Sequence, residues 1–242
     1  MHTLVEALRF IGRDGVNQAG DPTLIHLTLK HLELSGAALA VALLVAVPLG
    51  VWLGHLRRGS FIAFNVSYVG RALPSLAVIA IGIPFLGLGF RNVVVALIVL
   101  AIPPILTNAY VGVAGVESEV VDAARGMGMR EREILLRVEL PLALPILFAG
   151  IRISAVFVVA TATITALAGY SGSLGDIIAN QASYRFSGVL GAAICVAALA
   201  LAVDGAFALA QRLVTPRGLR VRQREGGLEA APGRLEPLPE VS

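Results

Sequence analysis

The 242 residues carry a formal net charge of +3, and 57% are hydrophobic while only 14% are charged. A soluble single domain would struggle to keep so much apolar surface off its exterior, so composition excludes an ordinary soluble fold and points to a bilayer. The pI near 9.5 does not argue for nucleic acid, because the basic residues flank apolar runs, where they set topology and touch lipid headgroups.

In chain order, residues 1–31 read as an extracytoplasmic tail. Charges recur from Met1 to Lys30 without a continuous apolar core, so no secretory signal is expected, and the first span serves as the insertion signal. A helix crossing ~30 Å of hydrocarbon needs roughly 20 apolar residues. Runs of that kind make residues 32–214 a transmembrane domain of about five spans: Leu34–Gly54, Ala72–Phe90 with a lead-in from Phe61, Asn92–Gly112, Ile146–Ala168 and Gly188–Leu209.

Basic loops are retained on the cytoplasmic side. Arg57 and Arg58, then Arg125, Arg130, Arg132 and Arg137, then Arg212, Arg217, Arg220, Arg222 and Arg224 follow alternate spans. The expectation is an all-α integral membrane protein with its N-terminus outside and its C-terminus inside. Arg9, Arg13 and Lys30 in the outer tail run against that count, accompanied by Glu6, Asp14, Asp21 and Glu33.

Spans two and three contain Pro74, Pro84, Pro103 and Pro104, each lacking a backbone donor, and the adjacent pair is expected to bend or break its helix. Such interruptions suit helices that line a cavity or move, and proline is also simply common in membrane helices.

Between spans three and four lies a polar island, residues 117–141. Ser118 is placed to cap a short helix with Glu119 and Asp122 at its positive end, and Gly126 and Gly128 to stop it. A second helix is expected from Arg130 to Leu140, with Glu133 paired to Arg137, Ile134, Leu135 and Val138 on one face, and Pro141 ending it. Ala123 and Ala124 keep the first helix slim enough for a groove on a soluble partner; the plainer reading is an amphipathic pair lying on lipid.

Gly169 to Gly175 lacks the lysine of a phosphate loop and reads as a sharp turn or close packing after span four. No phosphate loop or fused soluble domain is expected. Ser75, Asn108, Thr161, Thr163 and Thr165, with Pro74, are candidates for a path or gate; the alternative is hydroxyls bonded back to their own helices.

Arg71, Arg152 and Asp204 are ionisable groups in or beside spans, each costing ~2.5 to 3.5 kcal/mol at the centre of an inserted helix. Snorkelling, a structural ion pair, and a gate are the readings for them. Cys195 stands alone, so no intrachain disulfide is possible. His2, His26, His31 and His55 show no ligand cluster, and neither a metal nor catalysis is expected. Residues 215–242 turn rich in Pro, Gly, Arg and Glu and read as a mobile cytoplasmic tail.

The island resembles the cytoplasmic signature of the permease subunits of ABC importers: Glu-Ala-Ala, three residues, Gly, nine residues, Ile, one residue, Leu-Pro. Asp122-Ala123-Ala124, Gly128, Val138 and Leu140-Pro141 stand in that register, with Asp for Glu and Val for Ile. A narrower resemblance, to permeases for glycine betaine, carnitine, choline and related osmoprotectants, covers about His31 to Leu219. It rests on Ala72–Leu76, Ala123–Met129, Val138–Pro145, Ala149–Arg152 and Thr215–Leu219. Arg71, Tyr170, Ser171 and Ser173 depart from it.

The resemblance implies a type I importer permease (MetI-like) architecture in a bacterial inner membrane. It also implies partners: two ATP-binding subunits, a second permease subunit, identical or paralogous, and an extracytoplasmic solute-binding protein. ATP and Mg would sit on the ATPases and no cofactor on this chain. The expected coupling residues are Glu119, Asp122, Ala123, Ala124, Arg125, Gly126, Gly128, Val138, Leu140 and Pro141. At 6% aromatic content, an aromatic cage for a quaternary ammonium ion is expected on the binding protein instead. The competing readings are a permease for another small solute such as an amino acid, a channel or scaffold that never meets an ATPase, and a membrane enzyme, for which no constellation of acids, bases or nucleophiles is visible.

Overall fold

A computed structural model describes residues 2–13 and 22–215. These residues are helical throughout their regular structure, with no strand among them. α1 (His2–Gly12) is followed by α2 (Leu24–His55), α3 (Ser60–Ala72), α4 (Ser75–Leu86) and α5 (Phe90–Ala114). Then come α6 (Ser118–Gly126), α7 (Glu131–Ile134), a wide π turn (Leu135–Glu139), α8 (Leu140–Thr161) and a 3₁₀ stretch (Ala162–Ala168), before α9 (Leu174–Ala179) and α10 (Gln181–Val214).

Four segments are long and apolar enough to cross a membrane, and a fifth arises if the bent pair α3–α4 is one span. All four run past the bounds read from the apolar runs, Phe90–Ala114 by only two residues at each end. α2 begins at Leu24, where the Thr23 hydroxyl accepts from the His26 N–H, and the segment that holds the expected fourth span extends from Glu131 to Ala168. Residues 2–12 of the expected tail form a helix whose Ala7 and Phe10 pack on α10 beside Gly188 and Gly191. The 215–242 tail lies, apart from Thr215, outside the described residues.

The prolines behave differently from one another. Leu73 is extended, as the residue before a proline prefers, so α3 ends there and Pro74 opens α4 at a 94° bend. Pro103 and Pro104, expected to bend or break span three, lie inside α5, which does not break there. Side chains bond carbonyls near the pair: the Ser154 hydroxyl donates to Ala101 O over 2.8 Å, and the Asn108 amide donates to Pro104 O. The Pro103 ring fills the space left by Gly70 of α3.

α2, α5 and α8 form the centre. Leu34, Ala38, Ala42 and Ala46 of α2 meet Ala96, Leu97, Ala101 and Ile105 of α5, with Ala155 and Val158 of α8 completing the core. Small residues set the spacing, because helices in lipid gain from close backbone approach. A Cβ on Gly50 would lie 2.7 Å from Ala109 Cβ, and one on Gly150 would lie 2.5 Å from Asn108 Cβ. The Arg152 guanidinium makes a two-bond pair with Asp204, each N–O distance 2.8 Å, tying α8 to α10; this is the structural ion pair among the readings for those residues.

Candidate functional site

The polar island folds as a helix, a turn and a helix, built on a small core of its own. Val116, Val121, Ala124 and Ile134 are buried together, with Met129, Val138 and Leu142 packed against them. α6 is capped at Glu117, whose extended backbone carbonyl receives the first helical bonds; Ser118, expected as the cap, is its first helical residue. The stop is as expected. Gly128 adopts φ +84°, and Met129 N–H reaches back to Ala124 O while Gly128 N–H bonds Arg125 O, a glycine-closed helix end.

The two alanines part company here. Ala124 is 2% exposed and lets α6 and α7 approach, whereas Ala123 faces solvent beside Asp122, Arg125, Gly126, Gly128 and Met127, which is 77% exposed. The outward face is therefore slim and low, with one flexible apolar side chain at its tip.

The second helix differs from expectation. α7 spans four residues, the next five form the π turn, and Leu140 N–H bonds Leu135 O, five residues back. The chain then continues into α8, so Pro141 begins a membrane helix where it was expected to end a surface one. A proline lacks a donor and is tolerated in a first turn, and the wide turn before it carries the helix through. Glu133 does not face Arg137 in the expected pair: its carboxylate accepts from the Arg130 N–H at 3.0 Å. Leu140 and Pro141 are half-buried.

Beneath this motif lies a polar network that the sequence did not announce. Arg125 donates to Asp122 at 3.0 Å and to both oxygens of Glu131, at 2.9 and 3.2 Å. The Glu131 carboxylate, then its charge, holds the Arg125 guanidinium above its ordinary value. Glu131 lies 3.7 Å from His55 Nε2, and His55 Nδ1 meets the Glu139 carboxylate. Glu139 is 1% exposed. Arg57 Nη2 donates to Val116 O over 2.7 Å. These groups border a cavity of about 300 Å³. His55, seen in sequence as an isolated histidine, thus has two carboxylates across the fold, and the one local hint was a glutamate placed immediately before Leu140-Pro141.

The contacts of Arg57 and His55 bring the loop after α2 and the island to one end of the bundle. The end of α10 reaches the same region, where the Gln211 amide meets Pro145 O at 3.4 Å.

The path candidates are spread over three places. Pro74 and Ser75 stand at the α3–α4 bend. Asn108 bonds Pro104 O within α5, facing Gly150. Thr161 is buried at the end of α8; Thr163 donates to Ala160 O and Thr165 to Ala162 O, each at 2.7 Å, in the 3₁₀ stretch. Thr165 also lies 3.4 Å from the Ser173 hydroxyl. The glycine-rich segment after it turns at Gly169 and Gly172, both at positive φ, and Gly175 packs on the Thr163 carbonyl.

A family model described as binding-protein-dependent transport system inner membrane component matches residues 46–216. Over 201 residues the chain is 40% identical to the carnitine transport permease protein OpuCB of Listeria monocytogenes, covering 83% of this chain and 91% of that one. It is 36% identical over 221 residues to the choline transport system permease protein OpuBB of Bacillus subtilis, covering 91% and 97%. Among solved structures, a chain of the inward-facing MetNI methionine ABC transporter superposes with a TM-score of 0.69 at 22% identity, covering 80% of this chain and 96% of that chain. That likeness speaks to fold alone.

Proposed function

The chain belongs to the binding-protein-dependent transport system inner membrane component family, and from that premise we propose that it is the translocation-path subunit of an ATP-driven importer for quaternary ammonium osmoprotectants. It is a multi-pass inner-membrane permease, and glycine betaine, carnitine, choline or a close relative is its solute. The relatives similar over most of its length are carnitine, choline and glycine betaine permeases. They favour this solute class over an amino acid, since the amino-acid transporters resemble the chain in fold at 17 to 22% identity.

The observation that carries the mechanism is the outward face of α6 and its turn: Asp122, Ala123, Arg125, Gly126, Met127 and Gly128, presented at the basic end of the bundle. That end lies in the cytoplasm, with the N-terminus outside, as the basic loops favour. An ATPase subunit receives the face. Closure of two ATPases around ATP and Mg displaces residues 117–141, and α5 and α8, continuous with them, move as rigid rods between two packings. A second permease subunit completes the path, and an extracytoplasmic binding protein delivers the solute. Pro74, Ser75, Asn108, Thr161, Thr163 and Thr165 remain the candidates for contact with solute or gate.

Reconstitution with the ATPase and binding protein tests this against betaines, choline, carnitine, ectoine and amino acids. Stimulated ATP hydrolysis and uptake are expected with quaternary ammonium solutes; a response confined to amino acids would overturn the assignment.

A further inference from the structure

α5 and α8 are joined to the helix-turn-helix by the chain itself, but α2, the central helix that packs along α5 and α8, is not. Its links to the motif are made by side chains at its end. His55, in the last turn of α2, bonds Glu139 and approaches Glu131, while Arg57 bonds Val116 O. The π turn delivers Glu139. Its wider winding shifts the register before Leu140, and the Glu139 carboxylate is turned inward against His55.

We propose that His55 and Glu139 are positioning residues forming a latch that passes displacement of the coupling helices to α2. This rests on the reading that residues 117–141 dock on the ATPase. Without the latch, a push on α6 reaches α2 only through its apolar packing on α5 and α8, so nucleotide turnover proceeds with the central trio less tightly coupled to the motif. The network extends the latch outward through Glu131 and Arg125 to Asp122, so it spans the motif from its docking face to its base. A carboxylate that is 1% exposed needs a hydrogen-bond partner, and the His55 ring supplies it.

The test uses the full complex in proteoliposomes with His55→Gln, Glu139→Gln, the double variant, and the exchange of His55→Glu with Glu139→His. ATPase capture, ATP hydrolysis and solute taken up per ATP are measured together. The expected result is normal capture and hydrolysis in the glutamine variants with at least a tenfold fall in solute per ATP. The double variant is no worse than either single one, and the exchanged pair recovers most of the loss. Solute per ATP within twofold of the wild type in either single variant would overturn the latch, as would losses that multiply in the double variant. Loss of ATPase capture by both glutamine variants would also overturn it, since the pair would then be shaping the docking face. Failure of the unmodified complex to capture its ATPase would overturn the docking reading itself, and the latch with it.

Discussion

The three-helix centre and the helix-turn-helix both use buried small residues to bring backbones together, but they differ in what lies on the other side. At Gly50 and Gly150 an added Cβ would run directly into α5, so a larger side chain has nowhere to go. In α6 the burial is one-sided: Ala124 faces α7 while Ala123, one residue earlier, faces solvent. Adjacent residues of the same type thus have opposite surroundings, one buried in the core of the motif and the other exposed, and on the proposed docking the exposed one leaves room for a partner. The motif thus carries a small core of its own beside the polar contacts that tie it to the bundle.

The contrast gives predictions in descending order of damage to the folded protein. Gly150→Leu places side-chain atoms where a Cβ alone already overlaps Asn108, and overpacking of this kind costs ~3 kcal/mol or more; folded protein should be nearly absent in size-exclusion profiles after solubilisation. Ala124→Glu buries an unpaired carboxylate in the small core, at a local cost above ~2 kcal/mol. The spans should insert normally, while limited trypsin cuts quickly at Arg125 and Arg130 and uptake is lost. Arg152→Ala leaves Asp204 without its guanidinium, so thermal stability in detergent should fall modestly, with recovery when Arg152→Asp is combined with Asp204→Arg. Val138→Ile adds one methyl group to a half-buried site at the edge of the small core; uptake should stay within twofold of wild type. If Ala124→Glu left the trypsin pattern unchanged, the division between a buried and a presented alanine would be wrong.

Much of this was legible because it depends on local pattern. The apolar runs marked the spans, the charged pair Arg152 and Asp204 marked a cost that an ion pair would relieve, and Gly128 marked the helix stop. Other features depend on partners far away in sequence. Pro103 and Pro104 leave α5 unbroken because Gly70 makes room for a ring and the side chains of Ser154 and Asn108 bond nearby carbonyls, none of which periodicity reveals. The α3–α4 bend falls at Leu73-Pro74 while Pro84 stays inside α4, and the apolar run around them does not say which proline turns the chain. His55 and Glu139 are 84 positions apart, and the π turn that joins them has no simple residue signature. Within the motif the register was readable, but which alanine faced outward was not, since that depends on where α7 lies.

On the proposed function, the outward face of α6 meets an ATPase. Gly128→Asp tests it imperfectly, because φ +84° mixes backbone strain with the added charge. Ala123→Glu is cleaner, since it enlarges an exposed position and leaves the small core intact. The decisive measurement is capture of the ATPase by purified Ala123→Glu protein, read beside its trypsin pattern and solute uptake. A wild-type digestion pattern is expected, with capture and uptake reduced at least tenfold. Normal capture and uptake with that glutamate in place would contradict it.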